Sequence, residues 1–180
     1  MLEQKKSMKI VLLGYMGSGK SSVGENLATV LKADFLDLDF LIESAENDTI
    51  NNIFSKKGEI YFRKKENTIL KTTLKGRDNF VLATGGGTPC YGNIIDFLKN
   101  KSNILTIYLK CSLETLTKRL FEEKTKRPLI SHLTEKEQLN DFIRKHLFER
   151  SFYYTQADIT INCDDATIDE IVQKIILKLF

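Results

Sequence analysis

The segment Gly14–Ser21, with the sequence GYMGSGKS, narrows the possible folds more than any other part of the chain. It matches the pattern G-x-x-x-x-G-K-[S/T], which is informative when an apolar strand precedes it and a helix follows it. Lys9–Leu13 supplies the strand, and a helical pattern runs from Lys20 to about Leu31. The apolar positions that this helix would bury are Val23, Leu27 and Leu31. A strand, a glycine-rich turn and a helix in this order predict the first unit of a parallel α/β fold.

The same segment, called the P-loop below, predicts a site for nucleotide phosphates. Its glycines allow backbone N–H groups to turn inward around phosphate oxygens, and Lys20 can reach the β- and γ-phosphates. The Ser21 hydroxyl is a hard oxygen ligand suited to Mg²⁺, and the following helix points its positive dipole end at the phosphates. A turn that merely joins a strand to a helix is the alternative, but the Lys-Ser pair and both flanks favour ATP or GTP. The predicted nucleotide-binding residues are Gly14, Gly17, Ser18, Gly19, Lys20, Ser21 and Ser22.

Five short apolar runs alternate with helical patterns along the 180 residues, which predicts an α/β fold with a parallel sheet. The predicted strands are Lys9–Leu13, Asp34–Leu36, Phe80–Ala83, Ile104–Leu109 and Asp158–Ile161. The clearest helical stripe comprises Ile168, Ile171, Val172, Ile175, Ile176 and Leu179. Asp165 or Thr167 is predicted to cap that helix. Because the chain has only two prolines and neither a repeat nor a low-complexity linker, residues 1–180 are predicted to form a single domain.

Composition argues against several classes of protein. The chain is 42% hydrophobic and 28% charged with a net charge of +3, which predicts neither a nucleic-acid nor a membrane partner. No apolar segment of signal-peptide length follows the polar start MLEQKKS, so a cytoplasmic protein is expected. Cys90, Cys111 and Cys163 are odd in number and widely spaced, which is typical of reduced structural thiols rather than a metal site. His132 and His146 are interpreted as surface residues.

Two aspartates end the second predicted strand. In an extended chain Asp37 and Asp39 face the same side, at the carboxyl edge where open α/β sheets bind ligands. One carboxylate could then face a metal and the other an acceptor hydroxyl. The alternative is that Asp39 caps a helix over Phe40–Glu46, and the segment alone leaves both interpretations open.

Two further segments carry candidate ligand contacts. On a helix, Glu59 and Glu66 lie four and three positions from Arg63, a spacing that usually means a solvated ladder of ion pairs. The glycines Gly85–Gly87 follow the third strand, where a ligand could approach the backbone closely. A flexible turn is the alternative, although a simple turn rarely needs three glycines.

The regular alternation of strands and helices is broken twice. The stretch from Ile50 to Arg77 is mostly helical and densely charged. The polar stretch from Phe121 to Thr134 contains Pro128 and separates two helical patterns. A long polar insertion beside a nucleotide site is typical of a lid.

Taken together, these motifs resemble shikimate kinases over nearly the whole chain, from Lys9 to Phe180. The residues that carry the resemblance, besides the P-loop, are Asp37-x-Asp39-x-x-Ile42-Glu43, Gly58-Glu59-x-x-Phe62-Arg63-x-x-Glu66, Gly85-Gly86-Gly87, Arg127-Pro128-Leu129 and Arg150-x-x-x-Tyr154. The resemblance implies a P-loop fold of the NMP-kinase type, with five parallel strands in the order 2-3-1-4-5, flanking helices and a lid. It also implies transfer of the γ-phosphate of MgATP to the 3-hydroxyl of shikimate, on the route to chorismate and aromatic amino acids, by a cytoplasmic monomer.

The resemblance assigns catalytic roles to three residues, Lys20, Asp39 and Arg127. Asp39 would bond the acceptor hydroxyls and take a proton, and Arg127 would swing from the lid onto the phosphates. Asp37 and Ser21 would lie in the shell of the Mg²⁺ ion.

The resemblance also divides the remaining residues between the two substrates. Arg63 and Arg150 would hold the shikimate carboxylate, and Arg119 would stack on adenine. The residues implied to bind shikimate are Asp39, Arg63, Gly85, Gly86, Gly87 and Arg150. Substrate-binding helices are expected over about 39–77 and the lid over about 121–134.

Two other functions compete with this interpretation. A kinase for another small acceptor, such as gluconate or a nucleotide, would use Arg63 and Arg150 to hold a different anion. A GTP-binding switch or an ATP-driven mechanical protein has less support, because the sequence has no Asn-Lys-x-Asp motif that would read guanine.

Overall fold

A computed structural model describes residues 8–124, 127 and 129–180. Its five strands form one parallel sheet in the order β2-β3-β1-β4-β5, which confirms the predicted fold class and strand order. The strands are β1 (Lys9–Leu13), β2 (Asp34–Asp37), β3 (Phe80–Ala83), β4 (Ile104–Lys110) and β5 (Ile159–Asn162). Each observed strand lies within one residue of its predicted ends.

Seven α-helices and one short 3-10 helix over Thr88–Cys90 connect the strands in the described part of the chain. The α-helices are α1 (Lys20–Leu31), α2 (Leu38–Glu46), α3 (Ile50–Gly76), α4 (Ile94–Lys99), α5 (Leu113–Glu123), α6 (Lys136–Tyr154) and α7 (Ile168–Leu179). Gly58 interrupts α3, because its φ of 78° lies in the left-handed region that favours glycine. None of these helices combines the length and apolar composition that crossing a bilayer requires.

The central strand β1 is buried along its whole length. Since neighbouring side chains of a strand point to opposite faces, burial of all five residues means that both faces of the sheet are covered there. Helices α1 and α7 pack against each other, and α1 also packs on β2 and β3. The resulting layers place the carboxyl ends of the strands, and the loops that follow them, at one edge of the molecule.

The two helical stripes predicted from sequence are largely confirmed. In α1, Val23 and Leu27 are fully buried, whereas Leu31 is only partly buried because the helix ends there and Lys32 turns into the left-handed conformation. Thr167 caps α7 through a capping box with Glu170. Asp165, the other predicted cap, lies outside the helix.

In α7 the stripe is buried at Ile171, Val172 and Ile175, partly buried at Ile176 and Leu179, and 42% exposed at Ile168. The exposed position is the first residue of the helix, which lies beside the functional cleft described below.

The junction of β2 and α2 differs from both predictions for the aspartates. The strand ends at Asp37 and the helix begins at Leu38, so Asp39 lies in the first helical turn and not in an extended chain. Asp37 is the cap of α2, with its Oδ1 accepting the backbone N–H groups of Asp39 (3.0 Å) and Phe40 (3.3 Å). The sharing of one strand face by Asp37 and Asp39 and the capping role of Asp39 are therefore both wrong.

The predicted lid, about 121–134, spans the connection between α5 and α6. Helix α5 continues to Glu123 and α6 begins at Lys136, so the connection lies slightly later than predicted. Residues 125, 126 and 128 of this range lie outside the described residues. Ile130 is fully buried and Leu133 is partly buried against the core, so part of the connection is anchored by apolar contacts.

Candidate active site

A cleft of about 570 Å³ lies at the carboxyl edge of the sheet. The P-loop forms its floor, and residues that follow β2 and β3 form one side. Arg119 and Arg127, together with the start of α7, form the other side. The cleft thus brings together the nucleotide-binding residues from Gly17 to Ser22, Asp37, Asp39, Gly85, Gly86 and the two arginines.

All three P-loop glycines have φ angles that favour glycine, and two of them illustrate why. Gly19, at the start of α1, has a φ of 90°, in the region that L side chains rarely adopt. A Cβ on Gly14 would lie 2.9 Å from the backbone oxygen of Leu109, so a side chain there would push the loop away from β4. The loop consequently turns tightly enough to direct backbone N–H groups into the cleft.

Lys20 is buried, with only 8% of its surface exposed, and its Nζ donates to the backbone oxygens of Gly14 (2.8 Å) and Tyr15 (2.9 Å). Burial lowers the pKa of Lys20 to about 8, and the negative charge of Asp39 opposes this effect. No carboxylate of the described residues lies within ion-pair distance of its ammonium group. A buried cation without an ion-pair partner is suited to an anionic ligand.

A second group of the P-loop also lacks a partner. The hydroxyl of Ser18 is buried and makes no hydrogen bond with the described residues. A buried polar atom without a partner costs free energy, and such atoms commonly mark a place where a ligand or water binds. Ser18 and Lys20 together therefore indicate that the loop is completed by phosphate oxygens.

Ser21 and Asp37 form the predicted metal pair. The Ser21 hydroxyl donates to Oδ2 of Asp37 at 3.0 Å, so two hard oxygen atoms lie together beside the P-loop. No group of three or more His, Cys, Asp or Glu side chains that could hold a metal ion occurs among the described residues. The pair fits Mg²⁺, which usually takes one or two protein ligands and completes its shell with water and substrate phosphates.

Asp39 is exposed and lines the cleft, where the surrounding protein displaces part of the water around its carboxylate. This desolvation raises the pKa of Asp39 to about 6, with further contributions from the negative charges of Asp37 and Glu66. A Cβ on Gly85 would lie 3.4 Å from Oδ1 of Asp39 and 3.3 Å from Oε1 of Glu66. Because Gly85 has no side chain, a ligand can approach its backbone beside the carboxylates of Asp39 and Glu66.

The ion pairs of Arg63 are not the solvated ladder considered above. Its guanidinium contacts Oε1 of Glu59 at 3.4 Å and Oε2 of Glu66 at 2.9 Å. Glu66 is only 1% exposed, and its other oxygen accepts the hydroxyl of Thr88 at 2.6 Å. A Cβ on Gly87 would lie 2.7 Å from the guanidinium of Arg63, so only glycine lets that group approach the backbone there.

Arg150 approaches the same region from α6. Its guanidinium lies 5.6 Å from the ring centre of Tyr15, and its positive charge opposes the effect of burial, which raises the pKa of Tyr154. Burial raises the pKa of Cys90 to about 11, while the nearby charges of Arg150 and Arg63 act in the opposite direction. The charges of the two arginines, which belong to separate helices, thus both act on the Cys90 thiol. Arg63, Arg150, Cys90 and Gly87 are called the acceptor site below.

The lid-side arginines lie where the sequence predicted, lining the cleft. Arg127 pairs with Glu123 at 2.7 Å, and its positive charge also acts on the pKa of Lys20. Arg119 donates to the backbone oxygens of Gly17 (3.3 Å) and Cys163 (3.4 Å). Their roles toward a nucleotide stay predictions.

Two residues of the site had no predicted role. Glu66 was expected only as part of an ion-pair ladder and of the motif that carries the resemblance, and Tyr15 fills a variable position of the P-loop motif. His146 was interpreted as a surface residue, but it is half-buried and its Nδ1 lies 3.0 Å from the hydroxyl of Tyr15. Tyr15 and His146 lie 131 residues apart, and no local pattern could have joined them.

Comparisons with known proteins agree with this geometry. Residues 16–180 match the family model described as "Shikimate kinase". A shikimate kinase of Flavobacterium johnsoniae is 48% identical over 168 residues, which cover 93% of this chain and 96% of the relative.

Two solved structures are also similar to the chain. A shikimate kinase from Bacteroides thetaiotaomicron has a TM-score of 0.87 and 34% identity, covering 96% of this chain and 98% of its own. A shikimate kinase from Acinetobacter baumannii in complex with shikimate has a TM-score of 0.84 and 34% identity, and the match covers 97% of this chain and 94% of that kinase.

Replacing Lys20 by Met is expected to remove catalysis without unfolding the protein. The loss of the positive charge at the phosphates should lower kcat by at least about 10²-fold. The free energy of unfolding at pH 7 should stay within about 1 kcal/mol of wild type, because relief of the buried charge offsets two lost hydrogen bonds. ADP release and urea unfolding measure the two effects.

The exposed Lys118 of α5 offers the matched control, since Lys118→Met makes the same chemical change outside the cleft. A folded Lys20→Met protein that turns over at the wild-type rate would contradict the role of the P-loop lysine.

Proposed function

Because the chain belongs to the shikimate kinase family, we propose that it transfers the γ-phosphoryl group of ATP to the 3-hydroxyl of shikimate, giving ADP and shikimate 3-phosphate. One observation carries the choice of acceptor. Arg63 and Arg150 converge from separate helices at the acceptor site, beside the glycines that follow β3. The charges of both guanidinium groups reach the same thiol, Cys90, and no carboxylate of the described residues pairs with Arg150, so an anion that binds between the two arginines is favoured. A carboxylate matches their planar donors.

In this proposal the P-loop and the lid-side arginines bind ATP. Lys20 neutralises charge on the β- and γ-phosphates, and the hydroxyl of Ser18 gains the partner that it lacks among the described residues. Arg127 adds positive charge to the transferring group when the lid closes, and Arg119 supports the base of the nucleotide. Closure also excludes water, which would otherwise compete with the acceptor for the phosphoryl group.

Ser21 and Asp37 would hold Mg²⁺ in this proposal. A bound Mg²⁺ supplies positive charge that neutralises the developing charge on the phosphates. The hydrogen bonds that Asp37 accepts from the first amides of α2 fix its carboxylate beside Ser21.

Asp39 is the proposed general base for the acceptor hydroxyl. The pKa of about 6 makes Asp39 a stronger base than an ordinary aspartate, yet it stays mostly ionised at pH 7. The proton passes from the 3-hydroxyl to a carboxylate oxygen of Asp39 as the acceptor oxygen attacks the γ-phosphorus. The backbone of Gly85, Gly86 and Gly87 would lie along the acceptor ring. The missing Cβ atoms let Gly86 pack against the P-loop and let the guanidinium of Arg63 approach Gly87.

The protein is further proposed to act as a monomer in the cytoplasm. The monomeric state is supported by the P-loop, both aspartates and both acceptor arginines, which all belong to one chain. Sedimentation of the purified protein with and without both substrates tests the assembly state.

The acceptor is tested by measuring ADP release with MgATP and shikimate, gluconate or AMP, each offered separately. We expect kcat/KM for shikimate to exceed the other two by at least about 10²-fold, because its rigid ring holds the carboxylate and the 3-hydroxyl at a fixed separation, whereas gluconate is a flexible chain and AMP offers a phosphate. If gluconate were turned over as fast as shikimate or faster, gluconate would be the acceptor, and the protein would still be a small-molecule kinase.

Asp39→Asn keeps the size of the side chain but cannot accept the proton. We expect kcat to fall by roughly 10²–10⁴-fold with little change in the KM for ATP. Since only the ionised carboxylate is a base, wild-type kcat/KM for shikimate should fall about tenfold per unit as the pH drops below about 6. Both effects are measured by recording kcat and kcat/KM for shikimate from pH 4.5 to 8 in the wild type and in Asp39→Asn. An equal loss of ATP affinity in Asp39→Asn would instead assign Asp39 to the metal.

Arg63→Lys keeps the charge but loses the planar donors. If Arg63 holds the acceptor carboxylate, the KM for shikimate should rise about tenfold or more while the KM for ATP stays nearly unchanged. Arg144→Lys is the matched control, because Arg144 makes an exposed pair with Asp141 and lies about 120° around α6 from Arg150. An unchanged shikimate KM in Arg63→Lys would argue against this role.

A further inference from the structure

Tyr15, a variable position of the P-loop, makes contacts that the reaction described above does not use. Its side chain is almost fully buried, and its hydroxyl lies 3.0 Å from Nδ1 of His146 on α6. The guanidinium of Arg150, one helical turn after His146, lies over the ring of Tyr15 at 5.6 Å from its centre. One side chain of the nucleotide loop therefore contacts two neighbouring side chains of the helix that carries the acceptor arginine.

The contacts continue along the same face of α6. His146, Arg150 and Tyr154 recur at intervals of four residues, so their side chains lie on one face of the helix. The hydroxyl of Tyr154 donates to the backbone oxygen of Gly86, and the ring of Phe142 packs edge-on against His146 at 4.2 Å. This face is thus tied to the P-loop through Tyr15 and to the glycine segment through Tyr154.

Arg150 differs from Arg63 in what holds it. Arg63 is paired with Glu59 and Glu66, whereas no carboxylate of the described residues lies within ion-pair distance of Arg150. The ring of Tyr15 attracts the cation without neutralising it, so the charge of Arg150 stays available to an anion. A long side chain held in one place before the ligand arrives loses less conformational freedom on binding.

We infer that Tyr15 is a positioning residue for the acceptor: its bond to His146 fixes α6 against the P-loop, and its ring fixes Arg150 toward the acceptor carboxylate. This inference rests on the proposed function, since the carboxylate of shikimate is the anion that Arg150 would meet. Tyr15 thereby sets the position of the acceptor relative to the nucleotide, although it touches neither reacting atom.

The test removes the hydroxyl and the ring in two steps. Tyr15→Phe deletes the bond to His146 and keeps the ring, and it should raise the KM for shikimate about three- to tenfold. Tyr15→Leu also deletes the ring and should raise the KM further. The KM for ATP should stay within about twofold of wild type in both, because the phosphate contacts of the P-loop are unchanged. Tyr153→Phe, the same change at a neighbouring position of α6, is the control and should match wild type.

A double-mutant cycle separates positioning from a general loss of structure. If Tyr15 acts through Arg150, then adding Tyr15→Leu to the Arg150→Met variant should change kcat/KM for shikimate by less than about twofold. Full additivity of the two changes would overturn the inference, and so would an unchanged shikimate KM in both Tyr15 variants. An equal rise in the KM for ATP would also overturn it, because that would make Tyr15 a structural part of the nucleotide loop.

The wild-type assay distinguishes this inference from the proposed function. If the wild-type protein does not phosphorylate shikimate, the proposed function fails, and the inference fails with it. If the wild type is active and the Tyr15 variants behave like it, only the inference fails. Shikimate affinity measured by calorimetry, together with thermal unfolding, shows for each variant that a raised KM reflects weaker binding by a folded protein.

Discussion

The pairing of β1 with β3 on one side and β4 on the other is the interaction on which the whole site depends. All five residues of β1 are buried, so its backbone groups have no water to bind and must find partners in neighbouring strands. The backbone N–H and the hydroxyl of Thr84 both bind the backbone oxygen of Leu12, which locks the exit of β3 beside the exit of β1. Irregular backbone begins only beyond this point, and there the P-loop and the glycine segment meet.

Much of the fold was predictable because the local signals agree with one another. The expected periodicity is present in the strand before the P-loop, in the helix after it and in α7. The motif between the first two predicts that the turn binds phosphate. The strand order, by contrast, came from the resemblance to a known family. Apolar runs indicate that strands exist but carry no information about which strands pair.

The parts of the site that sequence reasoning missed depend on single residues or on long-range contacts. β2 ends one residue later than predicted and α2 starts at once, so the rule that alternate residues share a face fails between Asp37 and Asp39. The segment around Glu66 has the charged composition of an exposed helix. Glu66 is nevertheless buried beside Thr88, which follows β3 and donates a hydrogen bond to it. The contact of Tyr15 with His146 has no local signal of any kind.

The position of β1 in the middle of the sheet also has a consequence for how the chain is made. Thr84, which binds Leu12 at the β1–β3 boundary, follows it by 72 residues. At ribosomal rates of about 5–20 residues per second, the apolar run of β1 is synthesised on the order of 4–14 seconds before its first sheet partner. During that interval Ile10, Val11, Leu12 and Leu13 have no strand to pair with, and α1 is the first helix available to cover them. The strand that is fully buried in the finished enzyme is therefore also the one that waits longest for a sheet partner.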